Sequence, residues 1–399
     1  MVFAKRFIGL MVILLGLGAR SYAQLPETVT WKPLIKMDKH LFPSYLIAGA
    51  TMRFEDLGEY FIGEPKGMIG IKISSTYRFA KFKLEIRANE IADPTFIDFT
   101  LPHDKRREDF YVFPNINYRF LQLKSITQPI PVNVNFILYI DGKEESQQTE
   151  TINVHSINDC PYQVINADSI ITDMNWMFGA YVNENHPMIE EVLHEAVNTH
   201  MVDQFTDYAL SSESNKDELF RQVLGVWTAL YNRKITYSNT ITPSLGTGKN
   251  ISSQRVRFFD QALNSAQANC VDGSVMFASI FRRIGIEPFL VLVPDHCYMG
   301  FYTSTNKTAI YCLETTVIGK KNVSPSLVDS NTLKYFIGLY PKEVAEKNKD
   351  AIVSFAFALK VGQAKWTKDR EKITEGNKNY LQIDIAKSRA EEGIIPISD

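Results

Sequence analysis

Apolar and polar residues alternate through most of the stretch from Leu25 to Cys160. GMIGIKISSTYRF, KFKLEIRANE, PTFIDFTL and VNVNFILYID carry the alternation most clearly, and Pro, Asn, Asp and Gly separate them. Period two puts one face of each segment toward a core and the other toward solvent, and Ile, Val, Phe and Tyr suit such a pleated, half-buried surface. Asn158-Asp159-Cys160-Pro161 reads as the turn that closes this region.

Beyond that turn the period changes. HPMIEEVLHEAVNTHMVDQF and KDELFRQVLGVWTALYNRK follow helical spacing, and QRVRFFDQALNSAQ does so in its second half. A further helix begins at Asn269 or Cys270 and carries Val275, Met276, Ile280, Phe281 and Ile284, with Gly285 to close it and Pro288 beyond. Strands follow at Phe289 to Val293, from His296, and at Tyr311 to Glu314. The chain is therefore expected to be multidomain. An N-terminal all-β sandwich of immunoglobulin-like kind covers 24–160, and an α+β domain covers 161–399.

The first residues stand outside this scheme. Lys5 and Arg6 precede an apolar run from Phe7 to Ala19, and Ser21-Tyr22-Ala23 has small residues where a signal peptidase cuts. Residues 1–23 are expected to be a signal peptide removed before Gln24, which makes the protein exported, periplasmic or secreted. The run is short for a membrane span, and no later stretch qualifies. Among 399 residues, 43 Lys and Arg face 45 Asp and Glu, for a formal net charge of −2. That balance gives no electrostatic reason to expect a nucleic-acid partner.

Candidate chemistry centres on Cys270 and His296. A cysteine at a helix start feels the positive end of the macrodipole and the unpaired first-turn N–H groups, both of which favour thiolate and help hold an oxyanion. His296 follows the apolar strand, and Glu314 in YCLETT offers an acid to orient the imidazole and support its charged form.

Two stretches, ANCVDGSVMFASIFRRIGIEPFLVLVPDHCYMGFY and YCLETT, resemble the transglutaminase-like family, a branch of the papain-like cysteine fold. VWTALYNRKITYSN, QRVRFFDQALNSAQANC and YLQIDIAKSRAEEGIIPI extend the resemblance over roughly residues 176–397. It implies Cys270 as nucleophile, His296 as general base and acid, and Glu314 as orienting acid where many members have aspartate. Asp272 matches the acidic residue that members carry two positions after the nucleophile, with a role in building the helix start. Gln254 and Gln267 are both candidates for an amide donor to an oxyanion.

A three-residue loop, Ser304-Thr305-Asn306, would place His296 opposite Glu314 on one sheet face. Cys297 and Cys312 would then face opposite ways, without a disulfide. Cys160 has no evident partner and is expected to be buried. Metal-binding motifs fail on spacing: His194 and His200 in LHEAVNTH lie six apart, roughly 120° around a helix, and the H-E-x-x-H pattern is absent. PSLGTGKN has Pro243 where a phosphate-binding loop needs glycine. Neither metal nor cofactor is expected. The expected activity is that of an exported thiol hydrolase, a cysteine protease or amidase, on peptide or protein substrates, with hydrolysis favoured over cross-linking. The alternative is a non-catalytic binding or assembly module of the bacterial envelope.

Overall fold

The structure is a computed structural model describing residues 27–53, 57–105, 107–165, 170–209, 216–238 and 250–398. The expected signal peptide, 1–23, and residues 243–249 of PSLGTGKN lie outside the described residues.

Alternation in the first half becomes two sheets. One runs in the order Val29–Ile35, Ile69–Ser75, Phe110–Phe113, Phe61–Gly63. The other runs His40–Leu41, Lys143–Val154, Ile130–Ile140, Phe82–Arg87, Thr95–Phe99. Ile69, Ile71 and Ile73 of the first share a buried core with Leu84, Ile86, Val134, Phe136 and Leu138 of the second. Trp31 Nε1 donates to Ser146 Oγ at 2.8 Å and ties the two sheets together. The long hairpin of the second sheet turns at Asp141 and Gly142, both with positive φ. An Asp-Gly pair meets that backbone demand at little cost.

Four antiparallel strands organise the second half, in the order Ile310–Leu313, His296–Tyr302, Pro288–Val293, Leu381–Asp384. The helix Cys270–Arg283 packs against one face, sharing a core with Leu290, Cys297, Met299 and Phe301. It ends as its sequence predicts: Gly285 has φ +79°, and Ile286 N–H reaches back to the Phe281 carbonyl. The opposite face carries Phe289, Val291, Tyr298 and Cys312 against Trp366 and Ile373 of a long helix, Lys349–Thr374. Close approach of that helix to the strand Ile310–Leu313 needs a glycine, because a Cβ on Gly362 would lie 2.3 Å from the Cys312 carbonyl oxygen. The architecture is thus mixed α/β with several sheets.

The segment expected to be a boundary turn is only partly one. The turn occupies residues 157–158, and Cys160-Pro161 continue into a strand, Asp159–Ile165, paired with Ile251–Arg255. The register shifts between Pro161 and Gln163, where proline has no N–H to give the ladder. The two halves also touch through the helix Pro43–Ala48. Ser44 Oγ donates to the Asp159 carbonyl at 2.6 Å, and Ile395 N–H donates to the Ala48 carbonyl at 3.0 Å. Among the described residues, no helix is long and apolar enough to cross a membrane.

Candidate active site

Cys270 is the first residue of its helix, and Asn269 caps it. Asn269 Oδ1 accepts the N–H groups of Val271 and Asp272, each at 2.9 Å, while Asp272 Oδ2 accepts the Asn269 N–H at 3.0 Å. This is a reciprocal capping box. Asp272 is buried and also holds Arg257, through its backbone N–H at 2.8 Å and its guanidinium at 2.7 Å. Its carboxylate is spent on building the helix start. Capping also narrows the oxyanion expectation, because two first-turn N–H groups are already engaged by Asn269.

His296 opens its strand, directly after the Pro294-Asp295 turn, in which Asp295 has φ +59°. Its Nε2 lies 2.8 Å from Glu314 Oε2, and its second side-chain partner is the Cys270 thiol. Burial lowers the imidazole pKa, but the hydrogen bonds to Cys270 and Glu314 outweigh it and push it up to about 9. Both partners thus favour the charged form of the ring.

Glu314 lies just past the strand Ile310–Leu313 and is 2% exposed. Its two oxygens divide the work. Oε1 accepts Thr316 N–H at 3.2 Å and Thr316 Oγ1 at 2.6 Å, capping the short helical turn Thr315–Gly319. Oε2 takes His296 and, at 2.6 Å, Lys365 Nζ. Burial alone would raise this carboxyl, yet His296, Lys365 and Thr316 hold it down to about 2. A side chain that caps its own following turn while reaching back to the imidazole uses the extra methylene of glutamate.

The hairpin differs in detail from the sequence expectation. Its pairs are Met299↔Leu313, Gly300↔Cys312, Phe301↔Tyr311 and Tyr302↔Ile310, so Tyr298, not His296, extends opposite Glu314. The connection runs from 303 to 309 rather than three residues, and Thr303 N–H closes it on the Ala309 carbonyl. A two-residue shift preserves side-chain parity. His296 and Glu314 remain on one face as a diagonal pair, and Cys297 and Cys312 lie in separate cores. All four cysteines are free and buried, and burial pushes Cys160, Cys297 and Cys312 upward from the ordinary thiol pKa.

A cleft of about 490 Å³ opens over Cys270 and His296, with Gln163, Asn175, Gln254 and Lys378 among its lining residues. Gln254 Nε2 is buried without a hydrogen-bond partner, whereas Gln267 is exposed in the short strand Gln267–Ala268 and does not line the cleft. Sequence reasoning missed Lys365 and Tyr237, whose phenol pKa is raised by burial and then by the charges of Cys270 and Glu314. Lys365 sits in a helix whose long amphipathic register gives no local sign of what it reaches. Among the described residues, no group of three or more His, Cys, Asp or Glu forms a metal-binding cluster.

No family model and no curated protein matches this chain. Among solved structures, the transglutaminase of red sea bream is similar with a TM-score of 0.22 and 10% identity, over 79% of this chain and 57% of that one. The chain thus spans little more than half the length of that enzyme, and so low a score carries no argument about fold or activity.

Proposed function

We propose that the protein is an exported thiol enzyme that cleaves peptide or protein amide bonds, with a transglutaminase-like domain over 161–399 and an immunoglobulin-like sandwich over 24–160. The observation that carries this reading is the contact chain from Cys270 through His296 to Glu314, set at a helix start and open to a cleft. The sandwich reading draws on the two facing sheets, and the export reading on the sequence of residues 1–23.

Chemistry follows from the roles of these groups. Cys270 sulfur attacks the amide carbonyl carbon, and an S–C bond forms. The oxyanion is met by the Gln254 amide, which has no other partner, and by the Cys270 N–H, which the cap does not engage. His296, in its charged form, gives its proton to the amine as the C–N bond breaks. Water then attacks the thioester, His296 takes a proton from it, and the S–C bond breaks to release the acid.

Profiling the purified mature chain against a peptide library, beside Cys270→Ala, tests the reading. Cleavage products from wild type alone are expected. No turnover by wild type, on peptides or on amine acceptors, would leave the binding or assembly module as the better account.

A further inference from the structure

We propose that Lys365 is a positioning residue for the Cys270–His296–Glu314 cluster, holding the Glu314 carboxylate between two cations and thereby limiting how tightly it grips the imidazole. The inference rests on the triad reading above and deepens it.

Lys365 Nζ and His296 Nε2 meet the same oxygen, Glu314 Oε2, at 2.6 and 2.8 Å. Sharing one oxygen makes the two cations competitors for its charge, which binding to separate oxygens would not. The helix that carries Lys365 is keyed to the Glu314 strand at three points within two turns. Ala358 carbonyl accepts the Glu314 N–H at 3.1 Å, Gly362 admits the Cys312 carbonyl, and Gln363 Oε1 accepts the Cys312 N–H at 2.8 Å. Those contacts fix the register of Lys365 against Glu314. The lysine is about one-third exposed, and its ammonium lies 6.0 Å from the Tyr298 ring centre.

The plainer alternative is a cation that only neutralises a buried carboxylate. The two differ in what happens at His296. Burial and the Lys365 charge both push that imidazole down, while Cys270 and Glu314 push it up. The other titratable groups around the cluster are Asp272 and Cys297, Tyr237, Tyr298, Asp369 from the lysine's own helix, and Asp295 and Lys378 at the cleft. Among the described charges, Lys365 is the cation that shares the oxygen His296 bonds.

The test follows the titration of the His296 ring by NMR in the full chain, assigned with His296→Gln, in wild type, Lys365→Met, Lys365→Gln and Lys365→Arg. With the cation gone, in the Met and Gln variants, the His296 midpoint should rise above that of wild type by roughly half a pH unit or more, and Lys365→Arg should restore it. Two uncharged replacements guard against one failing to fold. A folded Met or Gln variant with an unmoved midpoint overturns the proposal, as does an Arg variant that shifts like them. Iodoacetamide labelling of wild-type Cys270 separates this from the triad reading. An inert Cys270 with a shifted His296 upholds Lys365 and overturns catalysis, and a reactive Cys270 with an unmoved His296 does the reverse.

Discussion

His296 meets a carboxylate at the cleft, and His155 meets another at the junction of the two halves. There His40 Nδ1 bonds His155 Nε2 at 2.8 Å, His155 Nδ1 lies 3.6 Å from Asp159 Oδ2, and Phe42 stacks on His155 with ring centres 4.2 Å apart. At the cleft, His296 bonds Glu314 and Cys270. The ingredients are alike, yet the proton is treated in opposite ways. Burial, and then the charge of His155, lower the pKa of His40 against a smaller pull from Asp38. His296 is half-buried, and its partners raise it to about 9. A second imidazole shares one lone pair and repels a second proton, whereas a carboxylate and a thiol both favour the charged ring. The lesson is that an imidazole beside an acid says little until the other ring nitrogen is followed to its partner. Of the two clusters, the one at the cleft ends on a thiol that lines an open cavity.

The largest break in this contrast should come from Glu314→Gln. It removes the charge that supports the imidazolium and leaves burial and Lys365, which both oppose it. His296 should then titrate well below 9, and turnover should fall by roughly 10²–10⁴-fold. NMR titration and steady-state kinetics read the two effects. A midpoint that stays near 9 would assign the shift to Cys270 alone.

A smaller effect lies in the pH dependence of stability. His296 has a folded pKa above its unfolded value, so its contribution is complete below about 6.5 and is lost as pH rises through about 9. For Glu314, the contribution is complete above about 4.5 and is lost as pH falls through about 2. His40 runs opposite to His296: its folded pKa is lowered, so its contribution is present above about 6.5 and is lost as pH falls below that. Urea midpoints across pH should show His296→Gln flattening the alkaline loss and His40→Gln flattening the loss just below neutrality. The same flattening from both variants would end the comparison.

What the sequence made legible follows from how local the cause is. Capping by Asn269, closure by Gly285 and the hydrophobic spacing between them are all contained in sixteen or so neighbouring positions, and that helix reads directly. Side-chain parity in the hairpin survives an error of two residues, so the His296–Glu314 pairing was readable even though the loop length was not. The strand Lys143–Val154 was hidden for the opposite reason: KEESQQTETINV buries only Ile152 and Val154, and pairing with Ile130–Ile140, rather than composition, makes it a strand. Leu381–Asp384 was likewise not legible as the fourth strand beside Pro288–Val293, because its partner lies some ninety residues away. Lys365 and the orphaned Gln254 amide were invisible as contacts, since each depends on elements brought together only by the fold.

The most direct measurement is residue-resolved alkylation of the native chain at neutral pH, with peptide mapping by mass spectrometry, in wild type and His296→Ala. Cys160, Cys297 and Cys312 are buried with raised pKa values and serve as internal references. The account predicts that Cys270 labels first and selectively, and that His296→Ala slows that labelling by roughly tenfold or more while the fold is kept. Labelling of Cys270 no faster than Cys160, Cys297 and Cys312, or at an unchanged rate without His296, would contradict it.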